Sequence, residues 1–262
     1  MREVDFDDFR VLPFQQKNSD VFLKDSSEPV LLKNAKAKIT KSTSLKMSVP
    51  TKITILTLFP QMFSALEHSI IKRALDKSLV KIEYVDFREY TKDKHRRVDD
   101  YAFGGGAGLL LMAQPIVDCI EALDPRHEAH RIYLSPAAKT LTHSKVVELS
   151  QKKDLILLCG HYEGVDQRVI DLVIDECISI GEYVLTGGEI PAMVLVDAVA
   201  RHIPGVISED SLVNESHSTP GKLEHPQYTR PREFRGLEVP EVLLGGNHAE
   251  IEKWKEKNSK IQ

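Results

Sequence analysis

The 262-residue chain carries 42% hydrophobic and 28% charged side chains, a balance that excludes disorder throughout and describes an ordinary globular protein. No apolar stretch approaches the ~20 residues that cross a bilayer, and the first thirty residues, with Arg2, Glu3, Asp5, Asp7 and Asp8, lack the apolar core of a secretory signal. A cytoplasmic protein is expected, and with 35 basic against 39 acidic residues a phosphate-bearing partner must be held by local basic clusters, not by bulk charge.

Residues 1–50 pass from a mixed acidic and aromatic start into a Lys- and Ser-rich run (Lys33, Lys36, Lys38, Lys41, Ser42, Ser44, Lys46) without helical or strand period. That composition predicts a disordered extension. From Thr51, apolar runs bounded by turn signals alternate with helical patterns, the mark of a mostly parallel α/β sheet with helices on both faces. Ile53, Ile55 and Leu56 to Phe59 predict a strand stopped by Pro60. Phe63, Leu66, Ile70, Ile71 and Ala74 then recur at helical spacing to about Ser78, and a second strand is expected from Val80 to Phe87.

A charged loop (Lys92, Lys94, His95, Arg96, Arg97) leads into the glycine cluster Gly104-Gly105-Gly106-Ala107-Gly108, and Pro115 is expected to open a helix to about Leu123. Strands over Arg131–Ser135 and Asp154–Cys159 flank a helix over 142–153, and a fifth strand runs Cys177–Leu185. Pro191 starts a helix ending near Ile203, and the loop-rich tail closes in a helix capped by Asn247. Cys119, Cys159 and Cys177 lie far apart in apolar surroundings and read as core residues, not as a disulfide framework or zinc site.

Glycines let a backbone approach a ligand where a Cβ would clash. The GGGAG segment looks superficially like a dinucleotide fingerprint, but it follows a charged loop and no acidic residue ends a strand about twenty residues on. No Gly-Lys-Ser/Thr ending supports a triphosphate-cradling loop. Two other glycine loops, 159–168 and 183–191, follow buried strands, and Ser135-Pro136 ends another. Ligands of open α/β sheets collect at such strand ends, where backbone groups can bond an adenine edge while Leu185 and Ile190 pack its faces. By residue type alone, Glu163 or Asp166 beside Arg168 reads as a loop salt bridge. His95, His161, His217 and His225 read as solvated, and Phe59, Tyr101 and Phe103 as packing elements.

The ordered blocks LTLFPQMF (56–63), DDYAFGGGAGLL (99–110), LSPAAK (134–139), CGHYEGVDQR (159–168), IGEYVLTGGEIPAM (180–193), RHIPGV (201–206), HPQYTRP (225–231) and VLLGGNHAEIEKW (242–254) closely resemble the bacterial tRNA (guanine-N1)-methyltransferase family, TrmD. The resemblance implies a SPOUT-type domain over 51–206 with a deep trefoil knot, a flexible linker over 207–222, and a shortened C-terminal helical, tRNA-binding part over 223–262. It implies an obligate homodimer, bound S-adenosylmethionine, Mg2+ dependence, and methylation of N1 of guanine 37, beside the anticodon, when the preceding base is also guanine. Carried over by position, Ser135, Pro136, Gly160, Tyr183, Leu185, Gly187 and Pro191 fall on cofactor loops, and Glu163 and Arg201 on catalytic or substrate-engaging residues. The family's general base is an aspartate, for which this chain has Glu215, one methylene longer. Lys92, Lys94, His95, Arg96, Arg97, Arg230, Arg232 and Arg235 are candidate phosphate contacts. A SPOUT enzyme with another RNA target, or a non-catalytic RNA- or cofactor-binding protein, is the alternative.

Overall fold

Strand β1, Thr51–Leu56, is buried at nearly every position, as a central strand covered on both faces must be. It belongs to a computed structural model that describes residues 51–213 and 215–260; the disorder expected of residues 1–50 lies outside the described residues. β1 stops short of the predicted Phe59 because the Thr57 hydroxyl accepts the Phe59 N–H at 2.9 Å, turning the chain into a 3-10 helix at Pro60–Glu67. The helix expected from Phe63 to Ser78 is broken there. Ser69 takes a left-handed φ of 55°, and only Ser69–Asp76 forms α1.

β2, Val80–Val85, ends where Asp86 accepts the Arg88 N–H and starts another short 3-10 turn. Beyond the charged loop, β3 (Asp99–Tyr101) and β4 (Leu109–Leu111) form an antiparallel hairpin that the sequence pattern did not signal, with the glycine cluster at its tip. Gly104, Gly105, Gly106 and Gly108 all have positive φ there. Helix α2, Ala113–Leu123, starts two residues before Pro115, which is tolerated because first-turn N–H groups have no partner within the helix.

β5 runs His130–Thr140, longer than expected, because Leu134 and Lys139 both pair with Ile178 and residues 135–138 loop out between them. Helix α3, His143–Ser150, is capped by the Thr142 hydroxyl, and β6 spans Asp154–Cys159. A helix not anticipated, α4 at Gln167–Val173, is capped by the Asp166 carboxylate. β7 is only Glu176–Ser179; Ser179 bonds Gly181 through its hydroxyl, so residues 180–185 are loop and not the predicted strand. Helix α5, Glu189–Arg201, ends with His202 as its cap.

The parallel sheet has the order β2-β1-β6-β5-β7. Alternation along the strands separates two cores. Ile53, Ile55, Leu155, Leu157, Ile132 and Leu134 face α1, α3 and α5, whereas Leu56, Ile156, Leu158 and Tyr133 face α2 and α4. Under the second face, Arg131 and Asp124 form an ion pair at 2.8 Å with side chains only 3% and 8% exposed.

Within 207–222 the described residues include a four-residue helix, α6 at Asp210–Val213. The remainder holds a two-stranded ribbon, β8 (Glu233–Phe234) with β9 (Leu237–Glu238), and α7 at His248–Asn258, capped as expected by Asn247. No helix among the described residues is long and apolar enough to cross a membrane.

Candidate active site

The loops after β5, β6 and β7 converge at the carboxyl edge of the sheet around a cavity of about 280 Å³. Ser135 and Pro136 come from the segment looped out of β5, Gly160 and Glu163 from the loop after β6, and Tyr183, Leu185, Gly187 and Pro191 from the loop that leads into α5. The segment 180–188 belongs to neither sheet nor helix, so its backbone N–H and C=O groups are available to a ligand.

The close approach of two loops shapes this cavity. The Gly188 N–H donates to the Gly160 carbonyl at 2.8 Å, and a Cβ on Gly188 would stand 2.6 Å from the Cys159 Cα. Backbone cannot yield as a side chain can, so only glycine fits at 188. Gly108, at the other rim, has Glu163 Oε1 2.5 Å from where its Cβ would be, so the β3–β4 hairpin packs against the Glu163 side chain.

Beneath the cavity lies a polar network that the sequence pattern did not reveal. Glu189, 1% exposed at the start of α5, accepts the Thr57 hydroxyl at 2.7 Å on one oxygen, and its other oxygen lies 2.7 Å from His161 Nε2. Phe59 covers the His161 ring with centroids 4.8 Å apart. His161 is therefore not the solvated loop histidine that its position suggested. The available signal was an acidic residue placed directly after a glycine pair at a helix start, where the helix dipole favours a carboxylate.

Arg201 and Glu215 lie elsewhere, in a second recess of about 630 Å³ at the far end of α5. The Arg201 guanidinium donates to Glu215 Oε2, while Oε1 lies 3.6 Å from His202 Nε2 and 3.9 Å from His143 Nδ1. Burial pushes the His202 imidazole below its ordinary range; Glu215 opposes this, and His143 and Arg201 reinforce it. Pro191, at the first cavity, and Arg201 are ten residues apart on one helix, about 15 Å along its axis at 1.5 Å per residue. Of the expected catalytic residues, Glu163 thus stands with the cofactor-loop residues and Arg201 with Glu215. His143, His202 and Glu215 are the group of three ligand-type side chains that converges among the described residues. Two imidazoles do not fit Mg2+, which takes oxygen ligands and retains water.

The charged loop is largely neutralised by carboxylates in and around it. Lys92 pairs with Asp118 at 2.9 Å, Arg97 with Asp93 at 3.0 Å, and Arg96 with Glu89. Hydrogen bonds from the Arg97 side chain and the His95 and Arg97 backbone hold the Asp93 carboxyl down at about 2. Arg230, Arg232 and Arg235 enter none of the ion pairs found among the described residues. Arg168 bridges Asp166 at 2.6 Å, as expected. Tyr101 and Phe103, expected to pack, are instead 79% and 101% exposed on the glycine hairpin. Cys119 and Cys159 are buried free thiols, Cys177 is half-buried, and burial pushes the Cys119 thiol up to about 12.

Residues 51–262 match the family described as tRNA (Guanine-1)-methyltransferase TrmD. The chain belongs to this family. Among curated TrmD relatives, a tRNA (guanine-N(1)-)-methyltransferase of Ruminiclostridium cellulolyticum is 54% identical over 212 residues, 79% of this chain and 91% of that relative. The protein of the same name from Alkaliphilus oremlandii is 53% identical over 215 residues, covering 79% of this chain and 86% of its own length. That of Clostridioides difficile is 46% identical over 209 residues, 78% of this chain and 90% of the relative.

Proposed function

We propose that this protein is a cytoplasmic tRNA (guanine-N1)-methyltransferase that moves a methyl group from S-adenosylmethionine to N1 of guanine 37, beside the anticodon. The observation that carries the reading is the meeting of Ser135, Pro136, Gly160, Tyr183, Leu185, Gly187 and Pro191 around one cavity, in a chain that matches the TrmD family over 51–262. S-adenosylmethionine supplies an electrophilic methyl carried on a sulfonium. The loop backbones would hold its polar groups, Leu185 and Tyr183 would offer apolar surface to its base, and Glu163, which also lines the cavity, would face the incoming guanine.

Guanine N1 bears a proton at neutral pH, and that proton must leave as the methyl arrives. Glu215 accepts it, and Arg201, planar and permanently charged, stabilises the charge that builds on O6. These groups must come within about 3.5 Å of the reacting atoms, yet Arg201 lies about 15 Å along α5 from the cavity of its own chain. We infer that a second copy supplies Arg201 and Glu215 to each cavity, in keeping with the homodimer that the family resemblance implies.

In this reading, 51–206 is a knotted SPOUT domain, 207–222 a linker and 223–262 a tRNA-binding part. The contact of Gly188 with Cys159 and Gly160 is the kind of close crossing that a threaded loop requires. Arg230, Arg232 and Arg235 are available for phosphates. Labelled S-adenosylmethionine with tRNA transcripts carrying guanine or another base at position 37 tests the reading. Transfer confined to guanine 37 is expected. Transfer indifferent to that base would mean another RNA target, and cofactor binding without transfer a non-catalytic protein.

A further inference from the structure

The recess at the end of α5 holds more ligand-type chemistry than proton transfer uses. His143 is the first residue of α3, His202 caps the C-terminus of α5, and Glu215 follows α6. Their ligand atoms all lie within 4.8 Å of one another, with the imidazole rings 5.1 Å apart at 80°. A tetrahedral ion with bonds of about 2.0–2.1 Å spaces its ligands about 3.3 Å apart. The Glu215 to His202 and Glu215 to His143 separations of 3.6 and 3.9 Å need to contract by only a few tenths of an ångström. The two imidazole nitrogens, within 4.8 Å of each other, would have to approach to the same spacing.

Two further features favour a cation. Arg201 holds Oε2 of Glu215, which leaves Oε1 facing the two histidines. His202 sits where the last carbonyls of α5 concentrate negative potential. The three side chains are 22%, 12% and 17% exposed, buried enough to be held in place and open enough to admit an ion with a water as fourth ligand.

We propose that His143, His202 and Glu215 form a binding site for a transition-metal ion of the Zn2+ class, and that its occupation withdraws Glu215 from proton acceptance. The first half stands on geometry and donor type alone; the second rests on the role of Glu215 proposed above. Imidazole donors suit Zn2+, Ni2+ and Cu2+ and disfavour Mg2+. The ion acts as a block: with Oε1 bound to metal and Oε2 to Arg201, both oxygens share their charge with cations, and the carboxylate becomes too weak a base to take the N1 proton.

The test is a titration of the full-length protein with Zn2+ against a chromophoric chelator. One equivalent per chain is expected, not displaced by excess Mg2+. His143→Gln, His202→Gln and the near-isosteric Glu215→Gln should each weaken binding by at least about tenfold, about 1.4 kcal/mol, with near-ultraviolet circular dichroism unchanged. Absence of zinc binding by folded wild-type protein, or equal affinity in all three variants, overturns the site. Zn2+ should also slow single-turnover methyl transfer in the wild type, reversibly with chelator, and should do so less in His202→Gln relative to that variant's own zinc-free rate. An unchanged wild-type rate with zinc bound overturns the block. If no transfer to tRNA occurs under any condition, the proposed function fails while the binding titration still decides the site.

Discussion

Thr57 donates its hydroxyl proton to Glu189 at 2.7 Å, joining the exit of β1 to the start of α5 across 132 positions of chain. Because His161 holds the other carboxylate oxygen, a single buried side chain ties β1 and α5 to the loop that carries His161 into the cavity lining. Replacing Glu189 by Ala strands the Thr57 hydroxyl and the His161 ring, and should cost about 1–3 kcal/mol of stability. It should weaken S-adenosylmethionine binding as well. Glu189→Gln keeps an acceptor for Thr57 and should lose less on both counts. Urea denaturation and calorimetric titration measure the two effects; equal losses for Ala and Gln would remove hydrogen bonding as the cause.

Gly188 and Gly105 separate two reasons for glycine. At 188 an added Cβ meets the Cys159 Cα at 2.6 Å, whereas at 105 it meets nothing within 4 Å and only the positive φ of 80° is strained. Gly188→Ala should abolish cofactor binding and destabilise by about 1–3 kcal/mol or more, as other overpacking changes do. Gly105→Ala should cost about 1 kcal/mol and leave cofactor affinity unchanged. Thermal denaturation and calorimetry of the pair check this.

Glu215→Gln and Arg201→Lys should each slow single-turnover methyl transfer by about a hundredfold or more while cofactor affinity stays at the wild-type value, since both residues are assigned to the guanine and neither belongs to the loops that line the cofactor cavity. An unchanged rate removes the residue from the mechanism.

Mixing two inactive variants tests whether the sites are shared between copies. Arg201→Ala spoils one end of α5 and Leu185→Asp places a charge in the apolar wall of the cavity. If each cavity uses its partner's Arg201, co-expressed chains form one intact site per mixed dimer and activity returns. Sites contained within one chain would remain dead in the mixture.

Asp124 is held below the ordinary carboxylate range. Burial raises it, but the Glu128 and Ala129 N–H groups and Arg131 together outweigh burial. The folded carboxyl then releases its proton more readily than the unfolded one. Its stabilising contribution is complete above the ordinary carboxylate range and lost as pH falls through and below it. Asp124→Asn leaves Arg131 buried without its counter-charge and should cost about 3–5 kcal/mol near neutrality. The deficit should shrink in acid, as urea midpoints at the two pH values would record.

Much of this architecture is legible in local pattern. The runs at Ile53–Leu56, Ile132–Leu134 and Leu155–Cys159 are buried at consecutive positions, and largely apolar, because both faces of their strands are covered, and Gly160 marks the loop that follows the last of them. Local pattern misleads where a side chain bonds its own backbone. Thr57, Asp86 and Ser179 each ended or diverted an element that hydrophobicity alone would have continued, because a single hydroxyl or carboxylate bond outweighs a weak local propensity.

Residue order by itself determined the sheet, the family and the loop residues around the first cavity, since each is written in contiguous or evenly spaced positions. Only the folded chain decided that Glu189 would reach Thr57 and His161, and that Arg201 and Glu215 would stand apart from the cofactor loops beside His143 and His202. These pairings join positions far apart in sequence. The rigid length of α5 and the packing of its buried face against the sheet set their distances, and no local pattern encodes either.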